Sequence, residues 1–190
     1  MMTPTRDLSA LLVEQIDWHW TTQLRPRLEG LIDAEYFWEP VTDAWNVRPR
    51  GTGHPGLARG RAGDFTIDFD FPPPEPTPVT TIAWRLGHLI VGCLLARVHG
   101  HFGGPAVDYE THPYAGTAAE ALAQLDDAYA AWIEGVKSWG TTGLAEPCGP
   151  SEGPFADEPR TVIVLHINRE LIHHGAEIAL LRDLWAHRTP

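Results

Sequence analysis

Cysteine is scarce in this 190-residue chain, and the two that occur, Cys93 and Cys148, belong to no spaced motif. They could pair in principle, but reduced thiols in a cytoplasmic protein are the simpler reading, and neither is assigned a catalytic role. Basic residues are also in the minority, 14 Lys and Arg against 25 Asp and Glu, for a formal charge of -11. No basic arm or stripe is present, so a nucleic-acid backbone is excluded as a partner. Apolar runs stay short of the roughly 18 uninterrupted residues a membrane span requires, and Met1 to Glu14 lacks the charged start and apolar run of an export leader. A soluble cytoplasmic protein with no membrane partner is expected. Missing too are a Gly-x-Ser-x-Gly element, a phosphate-cradling loop between a strand and a helix, and a cysteine with a basic neighbour, which leaves covalent catalysis and nucleotide chemistry unsupported.

What is present is a globular composition: 43% hydrophobic residues and eight tryptophans spread from Trp18 to Trp185. The length suits one domain over residues 1–190, long enough to bury a core. Four helical patterns stand out. The first runs from Asp7 or Ser9, either a suitable cap, to Glu29, with Leu12, Ile16, Trp20, Leu24 and Leu28 on one face and Gly30 past its end. Pro26 lies inside it and is expected to kink it or end it early. The second starts at Thr80 or Thr81 and reaches Phe102 before Gly103-Gly104-Pro105. The third spans Thr117 to Trp139, with Thr117 and Glu120 spaced as a capping box. The fourth runs from Arg160 or Thr161 to Trp185. Between Gly30 and Val79 a Gly- and Pro-rich connection interrupts regular structure; within it Asp64 to Phe71 alternates as a short strand would. The expected fold is all-α, a four-helix bundle with this long loop between its first two helices.

The fourth helix carries the chemistry. His166, Glu170 and His174 recur every four residues and, with His173 and Glu177, fall within an arc of roughly 100° on one side of the helix. Ile163, Leu181 and Leu184 bracket that stripe, which favours an interior position. Buried imidazoles and carboxylates need a partner or a cation, and a His/Glu set suits a divalent transition metal. The plain alternative is a set of mutually hydrogen-bonded polar residues. His88 sits on the apolar stack Trp84, His88, Val91 and Leu95 of the second helix; alone it reads as a core histidine, and beside the stripe it is the natural third ligand.

Several segments together resemble an actinobacterial member of the DinB-like superfamily: Trp18-His19-Trp20, Arg25 to Leu31, Glu35 to Pro40, Trp84 to Leu89 and Arg169 to Glu177. The resemblance spans nearly the whole chain and implies a four-helix bundle, often dimeric, with a divalent metal held by a His on the second helix and two residues four apart on the last. It includes mycothiol-dependent maleylpyruvate isomerase and bacillithiol transferases. By this resemblance His88, Glu170 and His174 are the metal ligands, with Glu170 standing where His is frequent. Zinc is the first choice of metal, with nickel or iron as alternatives, and the oligomer is a homodimer.

Two imidazoles and a carboxylate leave coordination positions open. A low-molecular-weight thiol entering there would ionise near neutral pH and attack an electrophilic small molecule, with His166, His173 or Glu177 as supporting partners or proton carriers. Water in that position would instead give a metal-dependent hydrolase. A third reading is a non-catalytic, metal-binding or stress-associated module.

Overall fold

Four long helices stand among the residues the computed structural model describes, 7–189, and their ends follow the capping chemistry of the sequence. Residues 1–6 of the segment read above as no export leader lie outside that range. Helix α1 (residues 8–27) begins at Asp7, whose carboxylate accepts from the Ser9 amide at 3.3 Å. Pro26 does not end it early. Over Trp20–Leu24 the helix takes a π-helical turn, and the Arg25 amide bonds five residues back to the Trp20 carbonyl. The wider turn ends two residues before Pro26, the residue that lacks a donor.

The expectation of an all-α fold needs correction in the long connection. It contains a short helix, α2 (Asp33–Tyr36), and three strands, β1 (Val47–Pro49), β2 (Ala58–Arg59) and β3 (Phe65–Asp68). They form an antiparallel sheet in the order β1-β3-β2, so the strand read from alternation is the central one. Its alternation does not sort residues in and out as expected: Ile67 is buried, but so are Thr66 and Asp68. Asp68 is tolerated there because its carboxylate accepts from the Asn46 amide at 3.1 Å, the His54 amide at 3.3 Å and Arg48 Nε at 3.0 Å. A buried acid held by three donors knits the loop to itself.

Helix α3 (Ile82–Phe102) is capped by Thr81, whose hydroxyl accepts from the Trp84 amide at 3.2 Å, and ends at Gly103 with φ 75°. By length and composition it is apolar enough to cross a membrane, yet most of its apolar window is buried inside the protein, as in a core helix. Leu86, Leu89 and Leu94 are fully buried, each worth roughly 1.5–3 kcal/mol. Gly87 admits the loop: a Cβ there would lie 3.1 Å from Ile67 of β3. Helix α4 (Ala118–Leu144) is capped by Thr117 as expected, while Glu120 reaches back to the amide of Gly116, one residue before the cap. Its regular part stops at Gly140 (φ 58°), the residue expected to follow its end. After a 3-10 turn (Pro150–Phe155), helix α5 (Arg160–Ala186) returns along the core. Gly175 of α5 meets Leu24 of α1 at a distance that leaves no room for a methyl group.

Candidate metal centre

Helices α3 and α5 bring the three residues read as ligands together. The rings of His88 and His174 lie 4.8 Å apart and nearly perpendicular. His174 Nε2 is 3.2 Å from Glu170 Oε2. Behind it, His174 Nδ1 is 2.6 Å from Glu177 Oε2, and Arg85 Nε approaches the same oxygen at 3.1 Å. A neutral imidazole has one N–H, and the shorter of the two carboxylate contacts, to Glu177, takes it on Nδ1, where Arg85 Nη1 also approaches at 3.3 Å; Nε2 then turns its lone pair to Glu170. His88 is also held from behind: Nδ1 meets the Tyr109 hydroxyl at 2.5 Å, and Nε2 faces inward towards Cys93 Sγ.

One wall of this site is aromatic, built by Trp84 of α3 and by loop residues packed around it. Trp84 stacks on His88 at 5.2 Å, Phe69 stacks on Tyr109 at 4.2 Å, and Trp45 packs against Trp84 at 5.9 Å. The connection between α1 and α3 therefore seals that side. Burial holds both histidines neutral: His88 is pushed down to about 3, by desolvation first and then by His174, Arg85 and Arg97. His174 moves down for the same first reason, partly offset by Glu177. Neutral imidazoles are the form that ligates a metal.

The remaining stripe residues are spread outward. His166 lies half-exposed, 3.5 Å from Glu170 Oε1 and 2.5 Å from an Arg169 nitrogen. His173 points away, with 62% of its side chain exposed against 8% for His174, and only brushes Glu177 at 3.6 Å. Beside the site lies a cavity of 480 Å³ whose lining includes Arg97, Glu152, His166 and Arg169 with the apolar Phe155, Val162 and Leu165. Arg97 bonds the Gly92 carbonyl and lies 3.6 Å from Glu152.

Cys93, Tyr109 and Arg97 were not singled out by sequence. Cys93 Sγ is 3.7 Å from His88 Nε2, and its sulfur, a His88 nitrogen and a Glu170 oxygen all lie within 4.8 Å of one another. In an α-helix residues five apart diverge by about 140°. Here residues Leu89–Leu95 are π-helical, and the wider turn brings position 93 beside position 88. Burial, with Glu170 next, pushes the Cys93 thiol up to about 12. Tyr109 reaches the site from the 103–117 loop, 21 residues after His88, a separation that leaves no local signature.

The donor set fits a divalent cation. His174 Nε2 and Glu170 Oε2 are two acceptors facing each other across 3.2 Å inside the protein, an arrangement that costs energy unless a proton or cation stands between them. Both imidazoles are held from behind by a partner on the other ring nitrogen, as ligating histidines are. A family model described as the DinB superfamily matches residues 15–178. The chain belongs to the DinB superfamily. The match runs from α1 to α5 and spans two groups of close ligand-type side chains, His88 with Cys93 and Glu170, and His173 with His174 and Glu177, in agreement with a superfamily whose members often bind metal. No curated protein and no solved structure matched this DinB-superfamily chain.

Proposed function

We propose that this protein binds one divalent transition metal through His88, Glu170 and His174 within the four-helix bundle of its family, and uses it to add a low-molecular-weight thiol to an electrophilic small molecule, the sulfur bonding to carbon and the thiol proton passing to the electrophile, as an S-transferase or, where the adduct reverses, an isomerase. The observation that carries the reading is the confrontation of His174 Nε2 with Glu170 Oε2 while Glu177 holds the opposite ring nitrogen. Zinc suits two imidazoles and a carboxylate, with nickel or iron as the alternatives. When bound, such an ion supplies a position at which a thiol gives up its proton near neutral pH.

The chain's own residues supply the rest. His166 stands between Glu170 and the neighbouring cavity, where it can take a proton released at the site. Arg97 and Arg169 in the cavity wall, each beside a carboxylate of the protein, leave a net basic lining that suits an electrophile bearing a carboxylate, and Phe155, Val162 and Leu165 suit an apolar body. Tyr109, Trp84 and the loop behind them exclude water from the His88 side. Glu177 holds His174 Nδ1, and His173 is turned outward and does not line this cavity.

The test combines metal loading with a thiol-transfer assay. Zinc-, nickel- and iron-loaded protein is supplied with a small thiol and a reactive, carboxylate-bearing electrophile, and thioether formation is followed. Transfer that needs both metal and thiol supports the reading. Metal-dependent consumption of the electrophile without thiol would make the protein a hydrolase, and bound metal with neither activity would leave a non-catalytic metal module.

A further inference from the structure

We infer that Cys93 is a fourth protein ligand to the metal, completing a His88, Cys93, Glu170 and His174 set. The inference rests on the metal-binding reading above and adds a residue to it. Ligand distances of about 2.0–2.1 Å for nitrogen and oxygen and about 2.3 Å for sulfur give tetrahedral edges of about 3.4 Å for N···O and about 3.6 Å for N···S. The structure holds both edges: His174 Nε2 to Glu170 Oε2 is 3.2 Å and Cys93 Sγ to His88 Nε2 is 3.7 Å. Cys93, His88 and Glu170 each place a donor atom within 4.8 Å of the other two, and His174 joins them through its contact with Glu170.

The backbone adds its own argument. A cysteine five residues after a histidine faces elsewhere in a regular helix, and the π-helical segment Leu89–Leu95 is what turns it inward. Such widened turns recur at functional sites. Gly92, between the two, has no room for a side chain: a Cβ would run into the Tyr109 hydroxyl and lie 3.2 Å from His88 Nδ1. The chain therefore packs His88, Tyr109 and Cys93 around one widened turn. With Cys93 in place the ion has four protein ligands, the closed arrangement of a structural site. An incoming thiol would then enter as a fifth ligand or by displacing Cys93. Buried cysteine as simple packing is the competing account.

Cobalt(II) loading separates the two. The wild type, Cys93→Ser, Cys93→Ala and Cys148→Ser are loaded with cobalt and their spectra recorded beside metal content and circular dichroism. The expected result is a near-ultraviolet thiolate-to-cobalt charge-transfer band in the wild type and Cys148→Ser, lost in both Cys93 variants. X-ray absorption on the zinc-loaded wild type, which needs no variant, should show one sulfur at about 2.3 Å. Cobalt and zinc bound without a sulfur ligand overturn the role of Cys93 and leave the three-residue site standing. A wild type that takes up neither metal overturns both.

Discussion

His173 and His174 are chain neighbours on α5, and they show how one polar stripe divides into two regions. The inner region, His174 with Glu170, His88 and Cys93, is enclosed by aromatic rings and by the core. Its two imidazoles are held from behind by the Glu177 carboxylate and the Tyr109 hydroxyl and turn their other ring nitrogens towards Glu170 and Cys93. The outer region, His166, His173 and Arg169, borders two cavities and meets solvent. A periodic pattern tells which residues share a side of a helix; depth along that side is set by what packs opposite. For His174 the opposite surface is α3, and for His173 it is the open groove beside α1.

That contrast can be broken from the inside. Glu170→Ala or His174→Ala removes a ligand from the enclosed set, and bound metal should fall from about one ion per chain to near none by elemental mass spectrometry. Glu177→Gln keeps an acceptor near His174 Nδ1 but weakens the bond that orients the ring; metal affinity should drop about 10–100-fold in chelator competition. Gly92→Ala drives a methyl group against Tyr109 and should cost about 1–3 kcal/mol in denaturant unfolding, with weaker metal binding. His173→Ala lies on the exposed side and should leave both metal content and stability unchanged within about 0.5 kcal/mol.

Acid should sharpen the same division. The folded, metal-free protein holds His88 neutral down to about pH 3, whereas in the unfolded chain it takes up a proton near pH 6.5. The unfolded state then binds more protons throughout that window, so stability is fully present above about pH 6.5 and is lost as the pH falls towards 3. Thermal midpoints of the metal-free wild type should decline from pH 7 to pH 4, and less steeply in His88→Gln.

Much of this molecule was legible from residue pattern alone. The caps at Asp7, Thr81 and Thr117, the stop at Gly103, the break at Gly140, after which α4 resumes to Leu144, and the approach of His88 to Glu170 and His174 follow from local chemistry and spacing. The sheet was half legible. β3 alternates over four residues, but its partners are three and two residues long in a Gly- and Pro-rich stretch, too short for periodicity to register. Cys93 escaped because spacing arguments assume 3.6 residues per turn, which the π-helical segment does not keep. Tyr109 escaped because a loop residue carries no register at all.

The central claim is that His88, Glu170 and His174 hold a divalent ion, and the most direct test is the metal content of tag-free wild-type protein, measured by elemental mass spectrometry as purified and after incubation with zinc, nickel and iron. The account predicts about one transition-metal ion per chain that survives desalting. A wild type that carries no metal after incubation would contradict it and reduce the cluster to a buried hydrogen-bond network.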